Sequence, residues 1–529
     1  MESVRVLHLI RNLSLLLLLS GMMSTQLAGC FAEGEGTEYW VAKADLLAKK
    51  GSYDEAMRAY NQAIGIDSNN TSIIMSKGNL LHTLGRYEDA ITAYDLAIRL
   101  DPENPVLWDN KGKTFLNLGR YDEAIRAFDE AVRINPGDSF ALAGKGEVFL
   151  KLGRFDEAVT AFDQATRINP KDTASWKGKG EALAQCGRYG EAITAYDQAT
   201  AINPGDARIW MSKGDLFLKL EKYNLAVNAF ERVTALDPKN AKSWEEKGRA
   251  CTNLMQYEDA LSAFNRSIEI EPDNAASWVG KGDVYSKMGR YDDAAGAYDR
   301  AISINRRDGE AWKGKGEILV KLGTIEKAIM AFNQALMFQP DSAETWEAKG
   351  DALTLLNNSE DAVLAYDQAI RIHPDNAEIL IKKGNILRSS GSYQGLVTVS
   401  DALIQLQPDN SSLLFDKANA LIQTRKYDDA IAIYNQLIAK NPKDAALLVK
   451  KGDVLYRYGK YGDALAIYDL AIGINPNDDH SWVQKGNVLK NLGRYQDAIA
   501  AYDKAIGLNV KNTEASIMKE YVQNTYIKK

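Results

Sequence analysis

All nine tryptophans of this chain fall on one 34-residue grid. Trp40, Trp108, Trp176, Trp210, Trp244, Trp278, Trp312, Trp346 and Trp482 are separated only by multiples of 34. A period of that length, held without insertion, marks one supersecondary unit stacked along a line. A single unit is too small to bury both of its faces, so each must lean on its neighbours. Such a protein offers a long surface, and a long surface usually works by holding other molecules.

Other residue types keep the same grid. Glycine recurs from Gly78 to Gly486, and Ala44 and Ala418 fill the two remaining places. Eleven of the twelve prolines share a second register, from Pro102 to Pro476, with Pro105 outside it. Residues 37–512 therefore divide into fourteen repeats beginning at Thr37, Thr71, Pro105, Ser139, Thr173, Ala207, Ala241, Ala275, Gly309, Ala343, Ala377, Ser411, Ala445 and Asp479. Positions are counted from 1 within each repeat.

The repeat at 105–138 can be read from its chemistry. Trp108, Phe115 and Leu118 recur at helical spacing. Gly119 follows, where a helix ends most easily in a left-handed residue. Tyr121, Ala124, Ile125, Phe128, Ala131 and Val132 trace a second stripe, which Pro136 stops for want of an amide donor. No stretch alternates with period two, so the sequence predicts no strands. Each unit is a helix–turn–helix hairpin. Alanine at position 20, in thirteen of fourteen repeats, lets the two helices approach closely.

The pattern Trp-x2-Lys-Gly, with Ala at position 20, an aromatic at 24, Ala at 27 and Pro at 32, resembles the tetratricopeptide repeat. The resemblance covers 37–512, about nine-tenths of the chain. It departs from the family at position 7, which is Lys where the family usually has Leu. It implies an all-α, right-handed superhelical solenoid whose first helices line a concave inner face through positions 2, 5, 9, 12 and 13. Residues 513–529 read as a C-terminal capping helix.

The N-terminus differs. Arg5 and Arg11 precede an apolar run from Leu13 to Met23, followed by Leu27-Ala28-Gly29-Cys30. A basic start, a short apolar stretch and small residues read as an export signal over 1–30. The run is short of the ~20 apolar residues a membrane span needs. The Leu-Ala-Gly-Cys string resembles the lipobox of prokaryotic lipoproteins, which implies lipid on the thiol of Cys30 and cleavage before it. An uncleaved signal anchor is the alternative. Either places the repeats outside the cytoplasm of a prokaryotic cell, attached to the membrane by the N-terminus, with 31–36 as a short tether.

A net charge of −7 is mild for 529 residues, and no nucleic-acid partner is expected from it. The four histidines, His8, His82, His373 and His480, lie in distant repeats or in the signal. No His/Cys cluster has metal spacing, and no glycine-rich loop joins a strand to a helix. No cofactor, catalytic constellation or small-molecule substrate is expected. Cys186 and Cys251 lie two repeats apart, beyond disulfide reach, and read as small core residues. Sequons such as Asn69-Asn70-Thr71 are too common to carry weight.

Lysine fills position 7 in all fourteen repeats, and position 25 is Asp, Asn or Glu in all fourteen. A ladder of cations could grip an acidic peptide. The favoured reading is internal pairing, with position 7 of the first helix near position 25 of the second helix in the same hairpin. Position 9 is acidic in eight repeats. Asp45–Lys49, Glu147–Lys151, Asp215–Lys219, Asp283–Lys287, Glu317–Lys321 and Asp453–Arg457 have the i,i+4 spacing of helix-supporting pairs.

Apolar residues at positions 5 and 12 are candidates for contact with a partner: Met75, Leu116, Leu150, Met211, Leu218, Val279, Ile381, Phe415, Ile422, Val449, Tyr456 and Val483. The stretch from Ile381 to Val483 is the more apolar and is the preferred docking region. Repeat 11 is expected to be a soft joint near 391–404, because Gly395, Leu396 and Ser400 replace the usual Glu, Ala and aromatic. Taken together, the sequence predicts a non-enzymatic scaffold that binds peptides or partner subunits in its groove. A structural spacer with little specific binding is the other reading.

Overall fold

The computed structural model describes residues 36–527. The segments expected to be signal and tether, 1–30 and 31–36, lie outside the described residues apart from Gly36. The chain divides into two compact units, one ending at Ile270 and one beginning at Glu271. The first holds seven helical hairpins, from Thr37–Lys49 with Tyr53–Ile66 to Ala241–Asn253 with Tyr257–Ile270. The second holds seven more, from Ala275–Lys287 with Tyr291–Ile304 to Asp479–Asn491 with Tyr495–Leu508. A last helix, Thr513–Val522, runs into a π-helical turn at Gln523–Ile527. No strand occurs among the described residues.

Each helix starts and stops for a local reason. Asn, Asp or Ser at position 34 closes every repeat, and its side chain accepts from a backbone N–H of the helix that follows, as Asp172 does from Ala174 and Asn376 from Glu378 and Ile379. Such a cap satisfies an amide that has no partner inside the helix, a contribution of about 1 kcal/mol. The turn within each hairpin needs a left-handed residue. Ten glycines, Gly51 to Gly493, supply it at φ between 71° and 83°. Asn357, Glu221, Met255 and Arg425 adopt it without being glycine. The tryptophans tie the other turn. The Trp108 indole N–H donates to the Pro102 carbonyl at 3.1 Å, and the same bond recurs from Trp176 to Pro170 and Trp346 to Pro340.

Packing explains the glycine grid. The ring at position 24 lies flat against the backbone at position 8 of its own hairpin. A Cβ added at Gly112 would stand 2.8 Å from the Phe128 ring, and one at Gly350 would stand 2.7 Å from the Tyr366 ring. In several repeats the next hairpin closes on the ring's other face, again through glycine: Gly144 on Phe128, Gly178 on Phe162 and Gly314 on Tyr298. The thirteen alanines at position 20 are fully buried. Repeat 11 keeps its helix, Tyr393–Leu406. With Ser400 in the ring's place, Leu387, Leu396, Val399 and Leu403 fill the space together with Leu380 and Leu414.

Two expected charge patterns are corrected. The position-7 lysines do pair with position-25 acids, but with those of the preceding hairpin. In the first unit Lys111 meets Asp95 at 2.6 Å, Lys145 meets Asp129 at 2.5 Å, Lys179 meets Asp163 at 2.7 Å, Lys213 meets Asp197 at 2.5 Å and Lys247 meets Glu231 at 3.0 Å. In the second unit Lys315–Asp299, Lys383–Asp367, Lys417–Asp401 and Lys485–Asp469 repeat the geometry. Lys519 of the last helix closes on Asp503 in the same way. The ladder therefore rivets one hairpin to the next. The lysine ammonium groups also lie over tryptophan faces, that of Lys213 at 4.9 Å from the Trp210 ring centre.

The second correction concerns position 9. Among the described residues none of the six i,i+4 pairs closes to ion-pair distance. In four hairpins with tyrosine at position 24 the acid, Asp45, Asp283, Asp351 or Asp453, instead accepts from that phenol. Tyr298 donates to Asp283 at 2.6 Å, Tyr366 to Asp351 at 2.7 Å and Tyr468 to Asp453 at 2.7 Å. A buried phenol without this acceptor would be left unsatisfied, so the position-9 group belongs as much to the core as to the surface.

Candidate binding groove

Stacking puts the same positions of successive first helices side by side. In the first unit, helices Pro105–Leu118, Ser139–Lys151, Thr173–Gln185 and Ala207–Lys219 frame a cleft of about 1410 Å³. Position 12 supplies Leu116 and Leu150, and position 13 supplies Asn117, Lys151 and Gln185. Position 9 supplies Glu147 and Glu181, position 5 Lys177, and position 2 Ala174 and Arg208. Two leucines thus sit in a rim of both signs of charge.

The charges are organised. Lys177 pairs with Glu181 along one helix, and Arg208 forks onto Asp206 at 2.8 Å. That guanidinium holds the Asp206 carboxyl below its usual range. Glu147 has no tyrosine to meet, because position 24 of its repeat is Phe162. Burial pushes its carboxyl up, and Lys113 opposes the shift. Asp215, in the repeat of Phe230, is likewise pushed up to about 6 by burial and then by Glu246. Asp109, one repeat before Glu147, is half-buried, and its Oδ1 is buried without a hydrogen-bond partner. Burial, followed by the charge and hydrogen bond of Asp138, raises its carboxyl to about 7.

The twelve apolar candidates occupy different depths. Met75, Leu116, Leu150, Met211, Leu218, Val279, Phe415, Ile422 and Tyr456 are half-buried, and Ile381 is 46% exposed. Val449 and Val483, at 7% and 1%, lie in the core behind the surface. Leu116 and Leu150 come together in the cleft. In the second unit Phe415 packs edge-on to Tyr434, and the Tyr456 hydroxyl accepts from Asn491 at 3.0 Å. Lys382 spans that face, bonding Glu347 at 2.6 Å and Asp351 at 2.8 Å. A search for apolar residues alone passes over the charged lining of the first unit. Lysine, arginine and glutamate at positions 2, 5, 9 and 13 of repeats 3–6 were the signal for it.

Cys251 is buried, and burial pushes its thiol up to about 11. Cys186 is half-buried at a helix end, 3.5 Å from Asp156. Both thiols are free. Among the described residues no group of three or more His, Cys, Asp or Glu could hold a metal ion, and no helix is long and apolar enough to cross a membrane.

A model of the C-terminal domain of cilia and flagella-associated protein 70 matches residues 171–371. No curated protein matches the chain. Among solved structures, it is similar to YrrB, described as a TPR protein with an unusual peptide-binding site, at 21% identity over 35% of this chain and 96% of that one, with a TM-score of 0.33. It is similar to a tetratricopeptide repeat protein from Parabacteroides merdae at 18% identity, over 47% and 98% of the two chains, with a TM-score of 0.41. It is also similar to the Cut9–Hcn1 hetero-tetramer of the APC/C at 14% identity, over 86% and 96%, with a TM-score of 0.34. Three models described as tetratricopeptide repeat match 37–70, 75–139, 115–186, 347–410, 415–479 and 479–512, together more than half of the chain. The chain belongs to the tetratricopeptide repeat family.

Proposed function

We propose that the chain is a non-catalytic interaction scaffold that holds an extended segment of a partner protein along its first helices. The observation that carries this reading is the cleft of about 1410 Å³ over repeats 3–6, with Leu116 and Leu150 at its floor and charges of both signs at its rim. An extended peptide fits such a surface because apolar side chains can settle on the leucines while its backbone and charges meet the rim. The more apolar stretch from Ile381 to Val483, in the second unit, is a second contact region.

The signal-like segment adds a location. Cys30 carries the lipid, and the repeats stand outside the cytoplasm, tethered to a prokaryotic envelope. One acyl chain holds only weakly, so stable attachment uses more than one. The experiment has two arms. Mass spectrometry of the mature N-terminus reads a lipidated Cys30, and an intact, unmodified Met1 rejects the lipoprotein. Affinity purification from solubilised envelopes retains a partner on the wild type and loses it on the double variant Leu116→Glu/Leu150→Glu. Equal retention by both rejects the cleft.

A further inference from the structure

The lysine ladder has open rungs, and they differ from the closed ones in one atom type. Position 25 is Asn in repeats 1, 7, 9 and 12, as Asn61, Asn265, Asn333 and Asn435. The position-7 lysines of the next repeats, Lys77, Lys281, Lys349 and Lys451, make no ion pair among the described residues, whereas ten equivalents do. The surroundings are otherwise alike. Lys349 is half-buried with its ammonium 4.9 Å from the Trp346 ring centre, as Lys315 is 5.4 Å from that of Trp312.

We propose that Lys349 and Lys77 are sites of selective amine acylation by small activated acyl donors, acyl phosphates or thioesters, because asparagine stands where the neighbouring rungs carry a carboxylate. The reaction is balanced without a further reagent. The ammonium releases a proton to water, the neutral amine attacks the acyl carbon, the C–N bond forms and the C–O or C–S bond breaks. Phosphate or thiolate leaves with the electron pair, and the second amine proton passes through water to that leaving group. A carboxylate against the ammonium resists the first step, because an opposite charge favours the protonated form. At an open rung only burial acts strongly, and it works the other way. Burial pushes the Lys349 ammonium below its ordinary value, with Asp361 of its own hairpin opposing. Burial does the same at Lys77, where Asp89 opposes and Arg86 assists. A lowered ammonium holds a larger free-amine fraction at neutral pH.

The product breaks no ion pair at these rungs. Acylating Lys315 would strand Asp299, its partner at 2.5 Å. Acylating Lys349 strands no carboxylate.

The test uses the full chain and acetyl phosphate at limiting exposure, with site occupancy read by peptide mass spectrometry. Lys349 and Lys77 are expected to acetylate several-fold faster than Lys315 and Lys145. Asn333→Asp should bring Lys349 down to the rate of Lys315, and Asp299→Asn should bring Lys315 up to that of Lys349. Circular dichroism confirms that both variants keep their helices. Equal rates at Lys349 and Lys315 in the wild type, or no exchange of rates in the two variants, would overturn the proposal.

Discussion

At the scale of single residues, the fold turns on a ring laid against bare backbone. Gly350 has the Tyr366 ring 2.7 Å from where its Cβ would be, while Gly384 has nothing closer than 3.5 Å because Ser400 replaces the ring. Alanine in a helix interior is favoured over glycine by about 0.5–1 kcal/mol, but overpacking a core costs about 1–3 kcal/mol. Gly350→Ala should therefore lower stability in urea unfolding, and Gly384→Ala should leave it unchanged or raise it. The glycine register was plain in the sequence. Its cause was not, because a 16-residue offset in the chain does not say that a ring lies on that backbone.

Asp109 makes a second residue-scale test. Its carboxyl sits at about 7 when folded, against an ordinary value of 3.8, through burial and Asp138. The folded state thus binds more protons than the unfolded one between those values. Stability contributed by the neutral form is present at low pH and is lost as pH rises through the window. Asp109→Asn keeps that site neutral. Allowing for its partial contact with solvent, the variant should be about 1 kcal/mol more stable than wild type near pH 8 and no more stable near pH 4. A pH-independent difference would contradict this account.

At the scale of the hairpin, helix ends, caps and faces were legible because each has a local chemical cause. The partners of charged groups were less so. Position 25 of the same hairpin and position 25 of the preceding one carry the same residue types, so no pattern along the chain separates them. Only the packed structure shows that Lys179 reaches back to Asp163. The acids at position 9 were misread for a related reason. An i,i+4 lysine is visible in the sequence, while the phenol of Tyr298 on the second helix is 15 residues away. Repeat 11 is where hairpin stability should differ. Its aliphatic cluster replaces a clamped ring, and Gly395 stands in the first turn of its second helix, where glycine is less favourable than the usual glutamate. Hydrogen exchange should be faster in Tyr393–Leu406 than in Tyr427–Lys440, and equal protection would show that the leucines compensate fully.

At the scale of the whole molecule, each unit gains its function from repetition. One hairpin offers a few side chains, while four in register build the cleft from Leu116 to Ile209. The all-helical hairpin stack could be read from periodicity alone. The position of the cleft could not, because apolar side chains were weighed above the mixed charges that line it. The proposed binding takes place on this wall. The most direct measurement is photo-crosslinking in intact cells from a reactive amino acid placed at Leu150, inside the cleft, and at Thr160, exposed on the second helix of the same hairpin. The account predicts discrete protein adducts from position 150 and none from 160. Adducts of the same kind from both positions, or from neither, would contradict it.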